Sequence, residues 1–224
     1  MSVSGRLNPY TEIHKGVRKA LFEAEMVLGA TDWTDPEEVP VAVETWRELT
    51  AFLRFHVDNE RDYVHPVYER TLPGVARSLN ADHEEQETYL TELDAHLNRL
   101  LDLPPGAARV AMGLELYRGL SRFIGDYLPH LLREEALFMR NLWDLCTEEE
   151  IADLVATIIT AEAPADAAVS GKFILQASNV QDLAALMRAL TGRVPEPVLE
   201  GMNQMAQQLL PPRKLQRIGE AMGG

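Results

Sequence analysis

Apolar positions along this chain recur every three or four residues, the spacing that stacks side chains on one face of an α-helix. The first stripe runs Tyr10, His14, Val17, Leu21, Ala24 and Leu28, with Pro9 at a first-turn position and Gly29 at the end. A second, after the acidic "DPEEVP", takes Trp46, Leu49, Leu53, His56, Glu60 and Tyr63, and Pro66 is expected to end or bend that helix. The third holds Leu79, His83, Glu87, Leu90, Leu97 and Leu101 and stops at "LDLPPG". The fourth holds Met112, Leu116, Leu120, Phe123, Tyr127, His130, Glu134 and Leu137; within it Pro129 cannot donate to the Gly125 carbonyl and is expected to kink the helix just before His130. No run alternates with period two over the length of a strand. The pattern predicts an all-α protein whose four long amphipathic helices, joined by short connections, form an up-down-up-down four-helix bundle with additional C-terminal helices.

Beyond the fourth stripe the segments shorten. Thr147 with Glu150 has capping-box spacing and opens a short fifth helix, "EEEIADLVATII". Asn179 can cap "VQDLAALMRAL" ahead of Gly192, and "PEPVLEGMNQMAQQLL" and "RKLQRIGEAM" each follow a proline. Residues 1–160 are expected to form the bundle with its fifth helix, 161–171 a linker, and 172–224 a small helical subdomain. Its Met and Leu residues are expected to pack on the bundle or on a second copy of the chain rather than to line a ligand groove.

Charge supports the same division. The formal net charge of −14 lies wholly in residues 1–160, because residues 161–224 carry six basic groups (Lys172, Arg188, Arg193, Arg213, Lys214, Arg217) and six acidic ones. Such a surface argues against a nucleic-acid partner, which needs clustered Lys and Arg. No apolar run reaches the length of a membrane span and none follows a basic start, so no membrane association is expected and the default is the cytoplasm. The single cysteine, Cys146, excludes an internal disulfide and any cysteine-cluster metal site. Metal chemistry, if present, must use histidine and carboxylate.

The polar residues within the stripes carry that chemistry. His14, His56, His83 and His130 fall on the apolar faces, one per helix, and three of them have a glutamate at the fourth position on: Glu60, Glu87 and Glu134. His65 and His96 sit beside the stripes and are read as solvent-facing. An i, i+4 pair points both side chains the same way from one helix face, so four histidines and three glutamates would converge inside the bundle. An unpaired carboxylate in that interior would cost several kcal/mol, and no Lys or Arg lies at the same level of the stripes. A bound cation would neutralise them. Seven ligands, His14, His56, Glu60, His83, Glu87, His130 and Glu134, suit two ions better than one. The mixture of imidazole and carboxylate suits iron, with manganese or zinc as substitutes. Tyr10, Tyr63 and Tyr127, each about one turn from a proposed ligand, are candidates to hydrogen-bond the ligands.

The order of His14, "HVDNE", "HEEQE" and "HLLRE" resembles the hemerythrin-like, or HHE cation-binding, domain over about residues 8–160. The resemblance implies two non-haem iron ions, oxo- or hydroxo-bridged, with His14 and His56 on one, His83, Glu87 and His130 on the other, and Glu60 and Glu134 bridging. Glu135 is a rival for the last role, since oxygen-carrying members place that carboxylate five positions after the histidine. Those carriers also have a second histidine where this chain has Glu87, so the resemblance points away from pure oxygen transport. It implies a small-molecule partner such as oxygen, peroxide or nitric oxide that is sensed or scavenged, or iron that is stored. A di-iron oxidase or peroxidase and a helical interaction protein with a structural metal site are the other classes left open. The C-terminal helices offer a surface for a homodimer.

Overall fold

The computed structural model describes residues 7–71 and 73–223. Among the described residues there is no strand; helices follow one another from α1 (Pro9–Ala30) through α2 (Glu38–Asn59), α3 (His65–Thr71), α4 (Arg77–Asp102), α5 (Ala107–Arg133), α6 (Met139–Leu145) and α7 (Glu148–Ala161). Four more complete the chain: α8 (Pro164–Ala177), α9 (Val180–Leu190), α10 (Glu196–Leu209) and α11 (Pro212–Gly223). Helix α1 packs on α2 and α5, and α4 packs on α5 and α2, which closes the ring of a four-helix bundle.

Local chemistry sets the ends. Asn8 accepts from the Tyr10 N–H with Pro9 in the first turn of α1, and Thr147 and Glu150 form a reciprocal capping box at the start of α7. Caps of this kind are worth about 1 kcal/mol each because they satisfy backbone donors that have no partner inside the helix. Gly192, at φ +76°, takes the left-handed turn that follows α9, a conformation costly for any residue with a Cβ. Helix α5 runs through Pro129. Both Pro129 and Gly125, whose carbonyl loses its donor, are exposed, so that carbonyl is not a buried unpaired acceptor.

Two segments depart from α geometry, and both begin at a glutamate of the stripes. Glu60–Val64 is a π-helical turn between α2 and α3, and Glu134–Phe138 is another between α5 and α6. A π turn adds a residue to the helical repeat and so rotates everything after it. The fixed-step stripes therefore fail beyond these points: Val64 and Tyr68 are buried while Tyr63 is only half-buried, and Phe138 and Leu142 are buried while Leu137 is 56% exposed.

The bundle holds two apolar clusters. The larger includes Val17, Leu21, Trp46, Leu53, Leu90, Leu120, Phe123 and Tyr127; the smaller includes Tyr10, Val64, Tyr68, Leu79, Phe138, Met139 and Ile151. The polar residues of the stripes lie between them along every helix. His14 separates Tyr10 from Val17, His56 and Glu60 separate Leu53 from Val64, His83 separates Leu79 from Leu90, and His130 with Glu134 separates Tyr127 from Phe138. Each fully buried leucine or aromatic in these layers contributes about 1.5–3 kcal/mol, which is the source from which a buried polar layer is compensated.

The stretch read as a linker is helical from Pro164 onward. Only Glu162 and Ala163 separate α7 from α8. The reason is packing: α8 lies on α1 and α2, and Phe173 joins the larger core with its ring stacked 5.2 Å from that of Phe52. Gly16 permits this approach, since a Cβ there would lie 3.2 Å from Phe52 and 3.3 Å from the Ile174 backbone nitrogen. Lys172 reaches Glu48 at 2.6 Å and Lys15 pairs with Asp182, tying the later helices to the bundle. Helices α10 and α11 contain no buried residue.

Candidate metal centre

Six of the seven residues expected from the stripes meet in the layer between the two apolar clusters. His14, His56, Glu60, His83, His130 and Glu134 are all buried. Their donor atoms fall into two groups: His14, His56, Glu60 and Glu134 form one, and Glu60, His83, His130 and Glu134 form the other. The two glutamates belong to both.

Each glutamate turns a different oxygen toward each group. Glu60 Oε1 lies 3.5 Å from His56 Nε2 and 3.9 Å from His14 Nε2, and its Oε2 lies 3.3 Å from His83 Nε2. Glu134 Oε2 lies 3.3 Å from His14 Nε2, and its Oε1 lies 3.1 Å from His130 Nε2 and 3.7 Å from His83 Nε2. Although these approaches are short, His14 Nε2, His56 Nε2 and all four carboxylate oxygens lack a properly aligned hydrogen-bond partner. Buried polar atoms are almost always satisfied. Donors that are close yet misaligned with one another are an arrangement that a cation between them would satisfy. His83 Nε2 and His130 Nε2 are 3.0 Å apart, the separation expected for two neighbouring donors about 2.1 Å from one ion. The residues present therefore fit bound metal, which His14, His56, Glu60, His83, His130 and Glu134 would hold.

The far side of the imidazoles is anchored. His14 Nδ1 is 2.9 Å from Glu135 Oε1, which also accepts from Arg18 at 2.6 Å. His130 Nδ1 is 3.1 Å from Asp82 Oδ2, which also pairs with Arg133. Such contacts fix the ring orientation and leave Nε2 facing the centre. They also separate the two rival carboxylates, since Glu134 faces the cluster while Glu135 stands behind His14. Tyr10 donates to the Tyr68 hydroxyl at 3.2 Å, which in turn donates to the Phe138 carbonyl at 3.0 Å. The Tyr127 hydroxyl is buried without a partner.

Electrostatics follows from burial. For His14, desolvation works against a charge, but Glu134, Glu135 and Glu60 overcome it and hold the pKa up at about 10. His83 behaves likewise: burial opposes its charge, Glu134 and Glu60 prevail, and its pKa stands at about 9. Desolvation dominates at His56 and pushes its pKa down to about 4 despite Glu60. The Glu134 carboxylate resists the same desolvation because His130, His14 and His83 surround it, and its pKa is held well below the usual range.

Two expectations need correction. Glu87 does not reach the cluster: its side chain is 48% exposed and pairs with Arg54 at 3.0 Å. Along α4 the buried positions run Leu79, His83, Leu90, Leu93, Leu97 and Leu100; between His83 and Leu90 it is Gln86 that is half-buried, while Glu87 is exposed. His65, read as solvent-facing, is 3% exposed and lies parallel to His83 with ring centroids 5.6 Å apart. The π turn before it supplies the extra rotation, and no fixed-period reading of the sequence contains that turn. His96 is half-buried, its Nε2–H donating to the Met112 carbonyl at 2.9 Å.

Among the described residues no helix is long and apolar enough to cross a membrane. No curated protein and no solved structure gave a match to the chain. The profile of one family, described as the hemerythrin HHE cation binding domain, matches residues 8–142, which spans all six clustered residues. With more than half of the chain matched and a buried His/Glu cluster compatible with metal binding, the chain belongs to the hemerythrin HHE cation-binding family.

Proposed function

We propose that this protein holds two non-haem iron ions between its four bundle helices and uses them to sense or scavenge oxygen, peroxide or nitric oxide, or to store iron. One observation carries the reading: Glu60 and Glu134 each direct one oxygen to the His14–His56 end of the layer and the other to the His83–His130 end. A single ion would leave half of those atoms without a partner. Iron suits the equal mixture of imidazole and carboxylate, and manganese or zinc are substitutes the same donors accept. Iron bound there would supply one-electron chemistry and coordination positions for a small ligand.

The chain's own part is to shape the environment. Apolar layers on both sides exclude bulk water from the cluster, which strengthens every electrostatic interaction within it. Glu135 with Arg18 and Asp82 with Arg133 hold the His14 and His130 rings in place. The single cysteine fits a reducing compartment and supports a cytoplasmic setting. Absorption spectra of protein loaded anaerobically with ferrous iron, before and after admission of air, test the reading. Charge-transfer bands of a coupled diferric pair are expected on oxidation, and a spectrum unchanged by air would contradict it. Catalytic turnover of added peroxide would move the protein from the sensor or scavenger class to the peroxidase class.

A further inference from the structure

Two tyrosines flank the polar layer, one in each apolar cluster, and their hydroxyls fare differently. Tyr10 donates to the Tyr68 hydroxyl, which passes a hydrogen bond on to the Phe138 carbonyl. Tyr127 is 1% exposed, and its hydroxyl meets no acceptor among the described residues. A buried donor left in that state is costly, and a phenylalanine would fill the same space without the cost. What the hydroxyl adds is a donor. Its surroundings place that donor beside the metal layer. Tyr127 stands one turn before His130 on the same face of α5, with ring centroids 5.8 Å apart. Burial, reinforced by the Glu60 and Glu134 carboxylates, pushes the phenol pKa well above its ordinary value, so the hydroxyl keeps its proton. A cavity of about 400 Å³ between α4 and α5 reaches the same place, with Phe123 and His130, one turn to either side of Tyr127, in its wall. A small molecule in that cavity is next to the two residues that bracket the phenol.

Resting on the di-metal reading above, we propose that Tyr127 is an anion-binding residue: its hydroxyl donates a hydrogen bond to a small anion taken up at the His83–His130 end of the centre. The acceptor must be small, because apolar side chains close the layer on both sides. It must also carry lone pairs, because the phenol offers one O–H and nothing else nearby takes it. A hydrogen bond to a charged acceptor in so buried a place is stronger than the same bond in water. The α4–α5 cavity, whose wall includes His130, is the route by which the anion arrives.

The test compares wild type with Tyr127→Phe, which keeps the ring and removes only the hydroxyl, using azide as the probe. Each protein is loaded with iron and oxidised, its metal content is measured, and azide binding is followed by absorption and by the infrared stretch of the bound anion. Tyr127→Phe should hold as much iron as wild type and bind azide at least about tenfold more weakly. The loss should appear as faster dissociation with association unchanged, and the azide stretch should move between the two proteins. Metal-free Tyr127→Phe should melt no lower than metal-free wild type, because an unsatisfied buried donor has been removed. Equal azide affinity and an unmoved stretch in two proteins of equal iron content would overturn the proposal and leave the di-metal reading standing. A clear drop in the metal-free melting temperature would also overturn it, by showing that the hydroxyl already has an acceptor within the protein. A wild type that takes up no second iron would overturn the di-metal reading instead.

Discussion

Glu60 and Glu134 occupy equivalent places on different helices: each follows a buried histidine by four residues and each is the first residue of a π-helical turn. The turn interrupts the regular backbone ladder just where the carboxylate enters the interior, and such turns are frequent at functional sites. Both carboxylates are ionised and buried, so in metal-free protein they are a burden offset only by the neighbouring imidazoles. Glu60→Ala and Glu134→Ala should each abolish two-metal binding, whereas His96→Ala should leave metal content unchanged. Equal iron in the Glu60 and His96 variants would mean the carboxylates do not bridge.

Protonation links the centre to pH. The His14 and His83 pKa values, held up at about 10 and about 9, lie above the value of about 6.5 in unfolded chains. Their contribution to metal-free stability is therefore complete below about pH 6.5 and is lost as pH rises toward 10. His56, pushed down to about 4, contributes in the opposite sense, and its share is lost as pH falls from about 6.5 through 4. Thermal melts in the presence of chelator should show greatest stability near pH 6–7 with loss on both sides. Metal must displace the protons on His14 and His83, so calorimetry at pH 7 in buffers of different ionisation enthalpy should register proton release. Uptake without proton release would show that these rings are not ligands.

Glu87 supplies a control within the same helix as His83. Arg54 joins it at 3.0 Å and joins Asp94 at 2.7 Å, while Asp94 also accepts from the Trp46 indole at 2.6 Å. Glu87 is the exposed member of this group, and exposed ion pairs are worth about 0–1 kcal/mol. Glu87→Ala should lower the unfolding free energy in urea by no more than about 1 kcal/mol and leave metal content at the wild-type level. Loss of one metal would restore Glu87 to the ligand set.

Far from the metal layer, Gly113 on α5 faces the buried Trp33 ring. A Cβ at Gly113 would lie 2.1 Å from Trp33 Cδ1, inside any tolerable contact. The indole is rigid and 3% exposed, so it has little room to withdraw. Gly113→Ala should destabilise the protein by about 1–3 kcal/mol, measured by urea unfolding, without altering metal per chain at low temperature. An unchanged midpoint would show that the Trp33 loop repacks freely.

Much of this was legible in the residue pattern because the bundle obeys a single period. Stripes from Tyr10 to Leu28 and from Trp46 to Glu60 are buried throughout, and a histidine on such a stripe has nowhere to go but the interior. Six residues of the buried cluster could be named for that reason. Where the period breaks, the reading broke with it. The π turns after Glu60 and Glu134 moved Tyr68 and Phe138 inward in place of Tyr63 and Leu137, and they turned His65 toward His83. The step from His83 to Glu87 failed for a milder reason, because a helix of 3.6 residues per turn alternates steps of three and four and the sequence does not say which comes next. The supposed linker was composed of small residues such as Ala and Gly, but the helix they belong to is held at its later turns, where Phe173 enters the larger core and Gly16 of α1 lets Ile174 approach.

Four histidines and two shared carboxylates would make a site for two ions. Metal analysis of the purified chain, loaded anaerobically with ferrous iron and passed through a desalting column, measures it directly. About two irons per chain are expected in wild type, with loss of both in Glu60→Ala. Less than half an iron per chain in the folded wild-type protein would contradict it.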